Sequence, residues 1–570
     1  MIFAPPRRCT CYAQTKYCLR VKIRISHSAR GSESADYASD AGALSVDASP
    51  PENAKLGASS RVALGILLSR ISGLIRERVI GHYFGNSAVI GVFRAAFKIP
   101  NLLSNLLGEG VLSAAFVTVY AKLRAEGEEA AARKLAAAVF SLLGLASSVL
   151  VLAGVLATPL LIDLIAPGFH GADRELTIRL VRILFPAAGM LVMSAWCLGV
   201  LNSHRRFLLS YSAQVVMNAT MIAALILFGR YLAQEQAIVV LAWSCVAGSF
   251  LVFLVQLPSV LELLPKFRPL LDVSSGPVRR VIRNFGPVFA SRGVVQISAY
   301  IDQIIASFLG PVAVAALGYS QVLSVLPISL FSMSVSAAEL PELSSQTGER
   351  EELNARLRTR LKTGLRRIAF FIVPCAVAFL VIGDVIVAAL YQSGRFRYAD
   401  AVYVWSALAG SAVGLLASSL GRLYSSVFYA LQDTRTPLRF AIVRVILTTG
   451  LGVVFALYAP AWIGIDAKWG VAGLTISAGL AGWVEYGLLR RALAQRIGPA
   501  PLPISFTAKL WSVAFIAASL GYGLKTLLGT RHPLPLAVVV IGLYAFVYFG
   551  GTFLLRVPES KFALRRIFFR

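Results

Sequence analysis

The chain of 570 residues is 57% hydrophobic and 15% charged, with a mean hydropathy of +0.71, which excludes an ordinary soluble domain, where about a quarter of residues carry charge. Its net charge of +27 is not a nucleic-acid signal, because the basic residues sit mostly in short loops between apolar runs of about 20 residues. Of the cysteines, Cys9, Cys11 and Cys18 lie near the start, and Cys197, Cys245 and Cys375 lie singly in apolar runs. They form no disulfide framework and no metal quartet.

In chain order, residues 1–57 are polar and lack helical periodicity. Their first thirty residues hold Arg7, Arg8, Lys16, Arg20, Lys22, Arg24 and Arg30 and no acid, a composition like that of a transit peptide. A disordered tail, or a start site placed too early, is the alternative. Apolar spans are then expected at about 60–84, 87–120 (kinked at Pro100), 135–165, 180–201, 209–232 and 237–264. A basic linker, 266–283, divides the chain. Further spans follow at about 285–309, 312–340, 368–390, 402–429, 438–459, 470–489, 506–528 and 534–555, with an amphipathic basic connection from Glu349 to Arg367. The expected fold is an all-α polytopic membrane protein of about fourteen transmembrane helices, because lipid leaves no other way to satisfy the backbone.

The stretch from Ser69 to Tyr120 is apolar enough to cross a bilayer yet carries Arg70, Arg76, Glu77, Arg78, Arg94 and Lys98. A charge at that depth costs roughly 2.5 kcal/mol or more unless it faces protein or a wet cavity. Arg94, Lys98, Asn101, Asn105 and Glu109 recur every three or four residues, one stripe of a helix, and Arg70 and Glu77 lie on one face seven residues apart. The cationic excess suits a cavity that holds an anion. Snorkelling, or pairing of Arg70 with Glu77, is the simpler alternative.

The chain also repeats itself. Arg70–Gly85 aligns with Gln296–Gly310, Pro100 falls opposite Pro327, and Ser113-Ala114-Ala115 opposite Ser336-Ala337-Ala338, at a spacing near 225 residues. Two pseudo-symmetric six-helix lobes (58–265 and 284–495) are expected, with a polar cavity between them lined by the first, second, seventh and eighth spans. Two C-terminal helices and a basic tail occupy 496–570. The basic loops (His204–Arg206, Lys266–Arg283, Arg356–Arg367, Arg435–Arg439, Arg490–Arg496 and Arg556–Arg570) fall on one side, which places both termini in the cytoplasm.

Several of these segments carry a family resemblance: SRISGLIRE from Ser69, AFKIPNLL from Ala96, GEGVLSAAFVTVY from Gly108, FPAAGMLVMSAWCLGVLNSHRRF from Phe185, GPVFASRGVVQISAYIDQIIASFLG from Gly286 and FYALQDTRTP from Phe428. Together they resemble the MurJ (MviN) family of lipid II flippases, in the multidrug/oligosaccharidyl-lipid/polysaccharide exporter superfamily, from about Ser60 onward. The resemblance implies a transporter, not an enzyme, in the bacterial inner membrane, whose substrate is an undecaprenyl-pyrophosphate-linked peptidoglycan precursor. Its partners would be the bilayer, that glycan lipid and cell-wall synthesis proteins, with no nucleic acid. Arginine suits a pyrophosphate because its planar fork bonds phosphate oxygens in pairs.

By position, Arg70 and Arg76 match the family's first-span arginines. Gly91, Ser104 and Val322 stand where the family carries an acid and two arginines, and Arg94, Lys98 and Arg292 are the residues expected to replace that charge; with Arg70, Arg76 and Asn101 they make up the expected substrate site. No cofactor is expected and no GxxxxGK[ST] sequence occurs, so energy would come from membrane potential or a Na+ or H+ gradient. Asp302 and Thr475 match ion ligands of some members, with Thr448 at the position of a further, amide ligand. Alternatively, Asp302 simply pairs with a base such as Arg292. The departures leave open another lipid-linked oligosaccharide (O-antigen or exopolysaccharide) and a non-transporting homologue. FYALQDTRTP reads as structural, with Asp433 or Thr434 capping a helix that starts near Pro437.

Overall fold

In the computed structural model, residues 52–108, 112–332, 350–431, 433–529 and 532–560 are described, with side chains except at 52–64, 66, 113, 114, 210, 211, 287–299 and 353. The helices are α1 (Glu52–Phe84), α2 (Ala88–Leu107), α3 (Thr118–Ala125, entered through a π-turn, Ser113–Val117), α4 (Glu129–Leu156), α5 (Thr158–Ile165), α6 (Gly171–Ser203), α7 (Phe207–Phe228) and α8 (Gln234–Leu263). There follow α9 (Gly276–Phe308), α10 (Pro311–Pro327), α11 (Arg350–Val381), α12 (Gly383–Tyr391), α13 (Tyr398–Ala430), α14 (Arg435–Val453), α15 (Gly470–Ile497), α16 (Ile504–Leu528) and α17 (Pro533–Leu554). Among the described residues the only β pairing is an isolated bridge, Ser393 to Phe396.

Each expected span has a helix or helix pair at its place. Among the described residues, ten of them are long and apolar enough to cross a membrane: α4, α6, α7, α8, α10, α11, α13, α14, α16 and α17, with α10 and α14 counted together with their extensions to Ser332 and Trp462. The other four places are taken by α1, α2, α9 and α15, whose sequences mix polar and charged residues into the apolar run. These are the helices that hold the candidate site residues.

Several boundaries differ from expectation. Helix α1 begins at Glu52, inside the segment read as an extension, and α9 begins at Gly276, inside the segment read as a linker. The long second span breaks after Leu107, near Gly108, and not at Pro100, which sits within α2. Glu109 and the repeat partner Ser336–Ala338 lie outside the described residues. The connection before the ninth span is helical and continuous with it. Leu357, Leu361 and Leu365, four residues apart, are its buried stripe.

The internal repeat is visible in the backbone. Gly85, after α1, and Gly310, after α9, both adopt positive φ (64° and 94°) and end their helices before a reversal into α2 and α10, a conformation that glycine takes without a Cβ penalty. In the FYALQDTRTP segment Asp433 is the capping residue. Its carboxylate accepts from the backbone N–H groups of Arg435 and Thr436 and from the Thr436 hydroxyl. Those bonds, led by the Thr436 side chain, with Arg496 alongside, hold its carboxyl down to about 2. Helices α16 and α17 dock on the second lobe. Tyr544 and Tyr548 donate to the carbonyls of Pro374 and Phe370, Lys525 pairs with buried Asp384, and Arg366 on α11 pairs with Glu559.

The two lobes meet at the α1–α2 and α9–α10 turns. The Arg395 N–H donates to the His82 carbonyl (2.9 Å), the Tyr319 hydroxyl to the Gly85 carbonyl (3.0 Å), and the Gly168 N–H to Ser307 Oγ (3.2 Å). Arg78 reaches across to the carbonyls of Ala389 and Leu390 in the last turn of α12, where orphaned carbonyls and the helix dipole favour a cation. Gly91 packs directly on the backbone of Pro311, and a Cβ there would overlap the Pro311 carbonyl. An acidic side chain therefore has no room at this position in this arrangement of the lobes. Gly91→Ala is expected to force the lobes apart at a cost of about 1–3 kcal/mol, read as a lowered thermal midpoint of the purified protein; an unchanged midpoint would show that the contact is not maintained.

Candidate functional site

The charged residues of α1 and α2 converge on Glu77. Glu77 is 4% exposed, and a carboxylate buried that deeply needs compensation on both oxygens. Arg76 Nη2 donates to Oε1 and Arg94 Nη2 to Oε2, each at 2.7 Å. Arg76 Nη1 also donates to Asn218 Oδ1 on α7 (2.9 Å), and Asn218 Nδ2 donates to Ser72 Oγ (2.8 Å). The network thus ties α1, α2 and α7 of the first lobe together. It also reaches the second lobe: the Arg94 guanidinium lies 4.2 Å from the centre of the buried Tyr319 ring on α10, a cation–π contact in a desolvated setting. Gly318 makes that approach possible, since a Cβ there would overlap the Arg94 side chain.

The count of donors is informative. Arg76 Nε and Arg94 Nε are buried and have no acceptor among the described residues. One carboxylate compensates one of the two guanidinium charges, which leaves the cluster with an excess positive charge and unmet N–H groups. Such a cluster can accept an oxyanion.

The other candidates separate. Arg70 is exposed and makes no hydrogen bond or ion pair among the described residues. Its expected alternative partner, Glu77, is fully engaged by Arg76 and Arg94, so the Arg70–Glu77 pairing is not formed. The seven-residue spacing put both residues on one face, but Arg76, adjacent in sequence, and Arg94, on the next helix, reach the carboxylate instead. Lys98, one turn along α2 from Arg94, has its ammonium 5.9 Å from the Tyr300 ring centre, while the Tyr300 hydroxyl donates to the Lys98 carbonyl. Asn101 is partly buried and accepts a hydrogen bond from Ser104 through its side chain and its carbonyl. Ser104 closes on its own helix and carries no charge to the site, and Val322 is an apolar, partly buried residue of α10. The Arg292 side chain lies outside the described residues.

Asp302, on α9, has Oδ1 buried without a hydrogen-bond partner among the described residues, and Lys98 and Arg444 are the charges that act on it. Arg444 is itself bonded to Glu485 of α15 at 3.1 Å. Thr475 makes no hydrogen bond to this carboxylate among the described residues. Its hydroxyl donates back to the Val471 and Ala472 carbonyls and packs on Gly410 of α13. One turn along α9 from Asp302, Ile305 meets Leu474 and Ser477 of α15 around Gly452 of α14. The residues that sequence reasoning missed are Tyr319, Asn218 and Ser72. Each is a common residue in an apolar helix and becomes distinctive only when the fold sets it beside a guanidinium.

Removing Glu77 alone strands two largely covered arginines without their counter-charge, at an expected cost of up to about 3–5 kcal/mol. Glu77→Ala and Arg94→Ala are therefore expected to be non-additive in a double-mutant stability cycle, and Glu77→Ala and Arg70→Ala additive. Coupling of Arg70 with Glu77 would contradict the network.

A family model described as lipid II flippase MurJ matches residues 80–534. Among curated relatives, a lipid II flippase MurJ of Burkholderia cenocepacia is 30% identical over 518 residues, covering 88% of this chain and 97% of the relative. A probable lipid II flippase MurJ of Rickettsia prowazekii is 28% identical, covering 74% and 80%. Among solved structures, a lipid II flippase MurJ in an inward closed conformation superposes with a TM-score of 0.72 at 22% identity, covering 87% of this chain and 98% of that one. An inward-facing multidrug transporter of the MATE family superposes at 0.59 and 18% identity, covering 77% and 98%. The solved structures show the shared fold. The family model and the Burkholderia relative show the lineage: the chain belongs to the MurJ family of lipid II flippases, multi-pass proteins of the inner membrane.

Proposed function

We propose that this protein moves an undecaprenyl-pyrophosphate-linked peptidoglycan precursor, lipid II, from the cytoplasmic to the periplasmic leaflet by alternating access. The observation that supports this reading most directly is the buried Arg76–Glu77–Arg94 cluster at the contact between lobes, with excess positive charge and unmet guanidinium donors. A pyrophosphate is a compact, multiply charged anion that the hydrocarbon layer rejects. Paired guanidinium forks replace its water. The polyprenyl tail needs no such site and stays in lipid.

Glu77 has a second role in this reading. Two arginines fixed side by side without an anion would repel, so the carboxylate holds them in place when the site is empty and competes with the substrate when it is occupied. The contact of Arg94 with Tyr319 couples the cluster to the second lobe. A ligand that draws Arg94 away from Tyr319 weakens the contacts at Gly85, Gly91 and Arg395 that keep the lobes together, which links binding to opening. The protein's work is therefore conformational and needs no catalytic residue. Membrane potential or an ion gradient drives the return, and Asp302 beside Lys98 is the residue best placed to respond to a cation. Both termini lie in the cytoplasm, as the basic loops indicate.

Gly91, Ser104 and Val322 support a second reading, a related lipid-linked oligosaccharide as cargo. Complementation of a strain depleted of its own lipid II flippase separates the two: growth supports lipid II, and failure with normal membrane levels supports the other cargo. In that assay Arg70→Ala, Arg76→Ala and Arg94→Ala are each expected to impair growth at near-normal protein levels, and Arg70→Lys to restore it partly, because lysine keeps the charge and loses the fork. Full growth of all three alanine variants would overturn the anion-site reading.

A further inference from the structure

A second cationic site lies on the outside of the first lobe, away from the Glu77 cluster. Glu175, Ile178, Arg179 and Arg182 recur at the three- and four-residue spacing of one helix face on α6, with Ile183 beside them. Val239 and Trp243, four residues apart, form the facing stripe on α8. Together they line an open groove of about 480 Å3. Arg179 and Arg182 are exposed and have no hydrogen-bond or ion-pair partner among the described residues, and Trp243 is 57% exposed beside them.

The level of this groove along the helices is decisive. At 1.5 Å per residue, Arg179 and Arg182 stand about 12 and 17 Å from the start of α6, and Trp243 about 14 Å from the start of α8. Helix α6, at roughly 50 Å, exceeds a hydrocarbon core of about 30 Å, so about 10 Å projects at each end if it is centred. The backbones of the two arginines and the tryptophan then lie about 2–7 Å inside the edge of the hydrocarbon, within the reach over which long cationic side chains and amphipathic rings extend to the headgroups. Ile178, Ile183 and Val239 offer an apolar wall on the same groove.

We propose that the groove between α6 and α8 binds an anionic phospholipid, its phosphate held between Arg179 and Arg182 and its acyl chains lying against Ile183 and Val239. Glu175 at the rim leaves the site with one net positive charge, which selects a headgroup with net negative charge over a zwitterionic one. Two guanidinium groups one turn apart supply the paired donors that a phosphate takes.

Quenching of Trp243 by brominated lipid tests this. The full chain and Trp243→Phe are reconstituted in nanodiscs containing brominated phosphatidylglycerol or brominated phosphatidylcholine at equal mole fraction, and the difference between the two proteins isolates the Trp243 signal. Phosphatidylglycerol is expected to bind roughly fivefold better at this position, about 1 kcal/mol for one net charge near the surface. Arg179→Gln with Arg182→Gln is expected to bring the ratio to unity, and Arg179→Lys with Arg182→Lys to keep part of it. Because these arginines have no hydrogen-bond or ion-pair partner among the described residues, size-exclusion profiles of the variants are expected to match the parent. Equal quenching by the two lipids in the parent, a preference that survives the glutamine pair, or loss of the preference when inorganic phosphate is added would each overturn the proposal, the last by showing that the groove reads a free anion.

Discussion

A single buried carboxylate sets the arrangement of this protein's inner face. Glu77 is almost wholly covered, and each of its oxygens is held by a different arginine, one from its own helix and one from the next. An ion so buried is tolerated only when its partners are fixed in place. The partners are fixed by their surroundings: Asn218 and Ser72 hold Arg76, and the Tyr319 ring and the missing Cβ of Gly318 receive Arg94. The polar links of α1 to α2 and α7, and the contact of α2 with α10, meet these requirements together.

The same constraint explains why the cluster sits where the lobes touch. Apolar helices in lipid gain little from burying one another, so close backbone approach and buried polar contacts decide association. The Gly91–Pro311 contact is such an approach, and the bonds between Arg395 and His82 and between Tyr319 and Gly85 are such contacts. Tyr319 belongs to both sets, since its ring faces Arg94 and its hydroxyl faces the α1–α2 turn. Charge at the site and closure of the lobes are therefore not independent.

The outer groove between α6 and α8 follows an opposite logic. Its arginines are exposed and, among the described residues, unpaired, where those of the cluster are paired and largely covered. Exposed guanidinium groups at the bilayer boundary are solvated by headgroups, whereas those between lobes must be solvated by protein or by cargo. One residue type thus serves two surroundings in one lobe.

Much of this was legible in the sequence. Apolar runs of bilayer length specify helices because no other backbone arrangement survives in lipid, and the helices stand where the runs are. The repeat between Arg70–Gly85 and Gln296–Gly310 announced two like lobes, and its closing glycines share a left-handed backbone. The alternating four- and three-residue spacing of Arg94, Lys98 and Asn101 marked one face of α2. Which charges meet was not legible. Spacing along α1 favoured Arg70 for Glu77, but a carboxylate binds whatever lies within hydrogen-bond reach, and that is decided by how α2 crosses α1. Thr475 shared a family position with an ion ligand, yet its hydroxyl turns back to its own helix against Gly410. Helical periodicity determines the face a side chain occupies. Only tertiary packing decides what that face meets, because the distances that matter, near 3 Å between atoms of residues such as Arg76 and Asn218, 142 positions apart, are set by helix crossings that no local pattern records.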